Sequence, residues 1–144
     1  MALAGEAPTF SPHVTLLGQI PGEGELIQNV TESLLDGVTP FELVLSRVGM
    51  LNTYYRSIIL HVEENQKLLD LYIATAETFN MKKGKTFVPH LSLLYSNFVK
   101  LHKQDLLKSV DLYLPDVINI SEVVLMETRG GPQDWQEVAR FSLK

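Results

Sequence analysis

An eight-residue segment occurs twice in this chain of 144 residues, and this repeat restricts the folds that the chain can adopt. The first copy is Phe10–Leu17 (FSPHVTLL) and the second copy is Phe87–Leu94 (FVPHLSLL). The copies share Phe, Pro, His and two Leu in register, with Val exchanged for Leu and Thr exchanged for Ser. Chance produces such a pair far less often than about one time in a hundred at average residue usage. The repeat therefore predicts two equivalent halves.

The elements predicted around the two copies follow the same order, since each copy precedes a helix and then two strands. In chain order they are a helix over 24–36, strands over 41–45 and 53–62, a helix over 64–80, a helix over 104–114, and strands over 117–128 and 137–143. We expect an α+β fold in one bilobal domain over 1–144, with antiparallel sheets lining a central cleft and helices outside. Lobe one covers about 10–62, the connecting helix about 64–80 and lobe two about 87–144.

The first half is shorter than the second. A strand and a helix precede the second copy, whereas nine residues precede the first copy. Lobe one is therefore expected to lack an N-terminal strand and helix, and to expose apolar surface in their place. Three explanations stay open: the sequence is trimmed, the protein is naturally compact, or a second copy of the chain covers the surface as a homodimer.

The repeated histidines and hydroxyls suit acid/base chemistry at phosphorus. Alternate residues of a strand share a face, so His13 lies beside Thr15, and His90 lies beside Ser92. One neutral imidazole can take a proton from an attacking water while the other, protonated, gives one to the departing oxygen. The hydroxyls can donate hydrogen bonds to phosphate oxygens. Two histidines without a nearby carboxylate are a poor metal site, so we expect no metal and no cofactor.

Composition excludes several other classes of protein. The chain has no cysteine, which excludes a thiolate nucleophile, a disulfide scaffold and cysteine-ligated metal sites. The net charge of −5 argues against binding to long nucleic acid, but not against a small anionic ligand. The N-terminal residues have no signal-peptide pattern, and every apolar run is too short to span a bilayer. We therefore expect a soluble cytoplasmic protein with no membrane partner.

The strings PHVTLLG over 12–18 and PHLSLLY over 89–95 resemble the paired motifs of the two-histidine (2H) phosphoesterase superfamily. They are most similar to its cyclic phosphodiesterase branch in plants and fungi, and the likeness covers most of the chain. Enzymes of that branch open ADP-ribose 1″,2″-cyclic phosphate and nucleoside 2′,3′-cyclic phosphates without a metal, within RNA and tRNA metabolism. The resemblance implies that His13 and His90 are the acid/base pair and that Thr15 and Ser92 bind the phosphate.

Tyr95 matches a tyrosine that helps to form the site in that branch. It follows His90 by five residues, so strict alternation along a strand places it on the opposite face. A bend or a strand end after Leu94 is needed to bring Tyr95 to the histidine face. A tyrosine packed at a strand end is the alternative interpretation.

Three further residues are candidates for binding the substrate. Tyr55 and Arg56, at the start of the predicted strand 53–62, would supply a ring for a nucleobase and a cation for a phosphate. Trp135 resembles a tryptophan common near the C-terminus of these enzymes. Core packing is the alternative for the aromatic residues, and His61 is interpreted as structural.

Together these observations predict a metal-independent cyclic phosphodiesterase that hydrolyses a small cyclic nucleotide. Two alternatives stay open. One is an enzyme that processes 2′,3′-cyclic phosphate ends of RNA, and the other is a nucleotide-binding module without turnover. The repeat makes the two histidines equivalent, so the sequence does not say which is the acid and which is the base.

Overall fold

A computed structural model describes residues 10–51, 53–82, 87–95 and 100–144, with side chains in the last range from residue 104 onward. Its elements in chain order are α1 (Gly24–Leu35), β1 (Phe41–Met50), β2 (Ile58–Val62), α2 (Gln66–Thr78), β3 (His90–Leu94), α3 (Lys100–Asp111), β4 (Asp116–Ile120), β5 (Glu122–Glu127) and β6 (Gln136–Ser142). Two short 3₁₀ turns cover Tyr54–Arg56 and Pro132–Asp134. The predicted α+β class is confirmed.

The chain divides into two compact units, each assembled from three segments. Unit 1 contains the residues up to Thr15, Val44–Glu63 and Val88–Ile118. Unit 2 contains Leu16–Leu43, Glu64–Phe87 and Asn119–Lys144. These units differ from the predicted lobes over 10–62 and 87–144, because β3 from the second half of the chain pairs with β2 from the first.

The larger sheet has the strand order β3-β2-β1-β4, and the pairings of β2 with β1 and with β3 are antiparallel. Its inner strand β2 reads IILHV, a nearly continuous apolar run that is typical of a strand covered on both faces. Ile58 and Ile59 are each 2% exposed, and Leu60 is 7% exposed. The strand β3, which carries the second histidine motif, is therefore paired with a buried strand.

Strand β1 contains a bulge that changes which side chains share a face. Leu45 is opposite Val62, whereas Arg47 is opposite His61, so β1 has one residue more than β2 across this interval. The extra residue is Ser46, whose hydroxyl donates to the His61 carbonyl at 3.4 Å. Because successive strand residues alternate between faces, the bulge moves Arg47 away from the face of Leu45 and onto the face of His61.

Unit 2 contains α1, α2 and the antiparallel β5–β6 hairpin. Helix α1 buries Ile27, Thr31 and Leu35, which are four residues apart and therefore lie on one stripe. Helix α2 begins after Asn65, whose side chain accepts a hydrogen bond from the Leu68 amide at 2.9 Å. None of the helices in the described residues is long and apolar enough to cross a membrane.

Three predicted strand assignments differ from the structure. The first octet contributes one isolated antiparallel bridge, Val14 to Leu91, in place of a full strand. The predicted strand 53–62 begins at Ile58, because the residues before it form a 3₁₀ turn in which the Arg56 amide donates to the Thr53 carbonyl at 3.2 Å. The predicted strand 117–128 is divided at Ser121 into β4 and β5.

Candidate active site

The two octets meet on one face of unit 1. Val14 and Leu91 form an isolated antiparallel bridge, so the residues on either side of Val14, His13 and Thr15, lie along the segment His90–Ser92. Alternate residues of an extended segment share a face, so the histidine and the hydroxyl of each octet are on the same side of the chain. The side chains of Val14 and Leu91 occupy the other face. The structure therefore groups the two predicted histidines with the two predicted hydroxyls.

Both histidines are held by the same local hydrogen bond. The Nδ1 of His13 lies 2.7 Å from the Ser11 carbonyl, and the Nδ1 of His90 lies 3.1 Å from the Val88 carbonyl. A carbonyl oxygen accepts, so in each ring Nδ1 donates, and Nε2 is left as the nitrogen that can accept or release a proton. Each bond spans two residues, so the repeated octet is sufficient to produce the same ring orientation twice.

The two hydroxyls have different surroundings. Thr15 is exposed, whereas Ser92 is 6% exposed. The Ser92 hydroxyl donates to the Tyr55 carbonyl at 3.0 Å and also hydrogen-bonds with the Tyr95 phenol. A hydroxyl has one proton, so Ser92 must rotate away from Tyr55 to donate to a ligand.

Tyr95 lies on the histidine face because of a second bulge. Ser92 and Leu94 are opposite two consecutive residues of β2, so β3 has one extra residue between them. This extra residue reverses the order in which side chains alternate between the two faces, and Tyr95 therefore comes onto the face of His90. The ring of Tyr95 is 4% exposed and stacks on Phe10 with centroids 3.9 Å apart. Burial raises the pKa of Tyr95, its hydrogen bond with Ser92 opposes the increase, and Tyr55 adds to it. The sequence-based expectation was a bend or a strand end after Leu94, whereas this bulge comes before Leu94, and the role of Tyr95 in binding stays a prediction.

The three further candidates for binding the substrate lie in two separate parts of the chain. Tyr55 and Arg56 lie in the 3₁₀ turn and not at the start of a strand, which corrects the sequence-based assignment. The Tyr55 ring is half exposed and meets the Tyr95 ring edge-on, with centroids 5.2 Å apart. Arg56 is exposed in the same turn. Trp135 is half-buried in unit 2, at the end of the turn Pro132–Asp134, and its role in binding stays a prediction.

Two further basic residues lie on this face, of which the sequence analysis interpreted His61 as structural and did not single out Arg47. His61 is directly opposite His90, and Arg47 is directly opposite His61. Burial lowers the pKa of His61, and the positive charges of Arg47 and His90 lower it further. A Cβ atom at Gly49 would lie 2.5 Å from His61 Nε2, so the glycine makes room for the imidazole. The available signal was a histidine inside the apolar run IILHV.

Among the described residues, no group of three or more His, Cys, Asp or Glu side chains could hold a metal ion. The arrangement instead offers two imidazoles with defined tautomers, two hydroxyls and a buried phenol. Such a set can move protons and donate hydrogen bonds to an anion.

Two comparisons with known sequences identify similar proteins. The family described as "Cyclic phosphodiesterase-like protein" matches residues 2–143. A cyclic phosphodiesterase from Arabidopsis thaliana is 24% identical over 98 residues, which are 68% of this chain and 54% of that protein. The chain thus spans about half the length of this curated relative.

Two solved structures share the fold. A phosphoesterase crystal structure has a TM-score of 0.58 and 18% identity, covering 92% of this chain and 77% of its own. The crystal structure of Escherichia coli LigT complexed with 3′-AMP has a TM-score of 0.57 and 17% identity, covering 92% of this chain and 76% of its own. At these identities the two structures support the fold.

Proposed function

This chain belongs to the cyclic phosphodiesterase-like family, and on that premise we propose that it is a phosphodiesterase that opens a cyclic phosphate of a small nucleotide. The observation that carries the proposal is the Val14–Leu91 bridge, which groups the histidines and hydroxyls of both octets on one face. The LigT structure, which contains 3′-AMP, supports a nucleotide as the ligand class.

The proposed reaction is a hydrolysis in two coupled proton transfers. The neutral imidazole accepts a proton at Nε2 from a water molecule as the water oxygen forms a bond to phosphorus. The bond from phosphorus to one ring oxygen breaks, and the second imidazole, protonated, gives its Nε2 proton to that oxygen. The product is a phosphate monoester, and the histidine pair has exchanged protonation states. His13 and His90 fill these two roles.

The remaining residues bind the substrate. The Thr15 and Ser92 hydroxyls donate to the non-bridging phosphate oxygens, where negative charge is held in the transition state. Tyr95 keeps Ser92 in place through their hydrogen bond, and the exposed ring of Tyr55 offers a surface for a nucleobase. No residue in this scheme forms a covalent intermediate, and no step requires a metal.

The test is hydrolysis of defined cyclic phosphates. The protein is incubated with adenosine 2′,3′-cyclic phosphate and with ADP-ribose 1″,2″-cyclic phosphate, with and without EDTA, and products are separated by chromatography. We expect one of these compounds to be converted to a phosphate monoester at the same rate with the chelator. Loss of activity with EDTA would contradict the metal-free mechanism.

Other substrates in the same assay separate the remaining alternatives. Turnover of an RNA oligonucleotide with a 2′,3′-cyclic end, but of neither small nucleotide, would indicate an RNA-processing enzyme. Binding of the nucleotides without turnover would indicate a nucleotide-binding module. The expected cytoplasmic location stays a prediction from the sequence, and a homodimer stays one of the three open explanations for the short first half.

A further inference from the structure

A row of basic side chains crosses the sheet of unit 1 beyond the proposed acid/base pair. His90, His61 and Arg47 are directly opposite one another on β3, β2 and β1. Opposite residues share a face, and neighbouring strands lie about 4.7–4.9 Å apart. The row therefore runs from a proposed catalytic histidine to a guanidinium whose strand is two strand spacings, or about 10 Å, away.

Arg47 is an exposed cation with basic neighbours. Among the described residues, the ion pairs are made by Arg129 and Arg140 with glutamates, and Arg47 takes part in none of them. Its neighbour along the row is His61, and the next residue is His90. The row thus concentrates three basic side chains, one of them a permanent cation, on a chain of net charge −5. A bound anion would supply the counter-charge that the row lacks.

His61 complements Arg47 as a hydrogen-bond donor. Its ring lies against Gly49, where a side chain would meet Nε2 at 2.5 Å. Burial, Arg47 and His90 all favour the neutral imidazole, which carries one N–H donor. A guanidinium provides a planar fork of donors together with a full positive charge, which suits phosphate oxygens. The pair thus combines one charged donor and one neutral donor.

Building on the proposed function, we propose that Arg47 and His61 form a second anion subsite. This subsite binds a phosphate or diphosphate group of the substrate other than the cyclic phosphate opened by His13 and His90. The preferred substrate is then a cyclic nucleotide that carries a second phosphate group. A nucleoside 2′,3′-cyclic phosphate with a free 5′-hydroxyl would leave the subsite empty.

Two matched substrates test the proposal. One is adenosine 2′,3′-cyclic phosphate and the other is the same nucleotide with an added 5′-phosphate. The wild-type protein should have the higher kcat/KM for the 5′-phosphorylated substrate. Arg47→Gln should lower that value by about tenfold to a hundredfold, mainly through KM, because a charge-assisted hydrogen bond is lost. The singly phosphorylated substrate should change by less than about twofold.

The controls separate the subsite from charge and from folding. Arg129→Gln removes the same charge from an exposed arginine that pairs with Glu127, and should leave both kcat/KM values unchanged. Arg47→Lys keeps the charge but not the planar fork, and should give an intermediate loss. Arg47→Lys also provides the measurement if Arg47→Gln does not fold, as judged by circular dichroism.

Each outcome has a distinct meaning. A selective loss on the 5′-phosphorylated substrate supports the subsite. Equal losses on both substrates, or no loss on either substrate, would overturn it, because Arg47 would then act on the reacting phosphate or be a solvated charge. If the wild-type protein hydrolyses neither of these substrates, nor ADP-ribose 1″,2″-cyclic phosphate, the proposed function itself is overturned.

Discussion

The two octets have nearly the same sequence but different surroundings. In both, the histidine Nδ1 donates to the carbonyl two residues before it. The second copy, however, forms β3 and pairs with β2, while the first copy is bridged at Val14. Ser92 is consequently buried and Thr15 exposed. Local sequence thus sets the tautomer of each ring, whereas tertiary pairing sets the neighbours of each hydroxyl.

The largest expected effect tests the similarity between the copies. His13→Ala and His90→Ala should each lower kcat by about 10²–10⁴-fold, because each removes one of two required proton transfers. Both variants should remain folded, as judged by circular dichroism, since both rings are half-buried and their hydrogen bonds are local. Full activity in either variant would contradict an acid/base pair.

The next effect tests the difference between the copies. Ser92→Ala should lower the free energy of unfolding by about 1–3 kcal/mol, because the Tyr55 carbonyl and the Tyr95 phenol lose a buried partner. Thr15→Ala should change it by less than about 0.5 kcal/mol, because Thr15 is exposed. Urea denaturation measures both values.

The activities of Ser92→Ala and Thr15→Ala should not differ in the way that their stabilities do. Both variants should lower kcat/KM for a cyclic phosphate, since each removes a proposed donor to the phosphate. Thr78→Ala is the matched control: Thr78 is an exposed threonine of α2 that donates to the Ala74 carbonyl. Equal stability losses for Ser92→Ala and Thr15→Ala would show that the copies have the same surroundings after all.

The smallest expected effect concerns His61, which is opposite His90 of the second copy and has no partner position in the first copy. The pKa of His61 is lowered, so below about pH 6.5 the unfolded chain binds this proton more readily than the folded protein does. The free energy of unfolding should therefore fall as the pH decreases from about 6.5 toward the lowered pKa of His61. His61→Asn should reduce this slope in urea denaturation curves, and an unchanged slope would contradict the assignment.

Much of the local structure could be predicted from the sequence. Helices α1, α2 and α3 follow the 3.6-residue spacing of apolar side chains, and the four proposed site residues come from the repeated octet. The fold class was also predictable from this order of elements. These features depend on short stretches of chain, whose pattern is visible without knowledge of their partners.

The bulges could not be predicted in the same way. Phe41, Leu43 and Leu45 alternate in β1, and strict continuation places Arg47 on their buried face. The extra residue at Ser46 places it on the other face, beside His61. A bulge depends on the strand opposite, so one strand's pattern does not reveal it. A charged residue at a position expected to be buried was the available signal.

The pairing of strands across the two halves was also hidden. The repeat predicted two lobes, each with its own sheet, but β3 pairs with β2, and each compact unit contains segments from both halves of the chain. Strand pairing between residues far apart in sequence is decided by which buried faces fit together. The apolar run of β2 predicted a buried strand, but it did not indicate which strands pair with it.

The pH dependence of hydrolysis tests the two-histidine account most directly. The quantity is kcat/KM for whichever cyclic phosphate proves to be a substrate, measured for the wild-type protein from acid to alkaline pH. One neutral and one protonated imidazole are required together, so the account predicts a bell-shaped profile. A profile that is flat, or that has one limb, would contradict it.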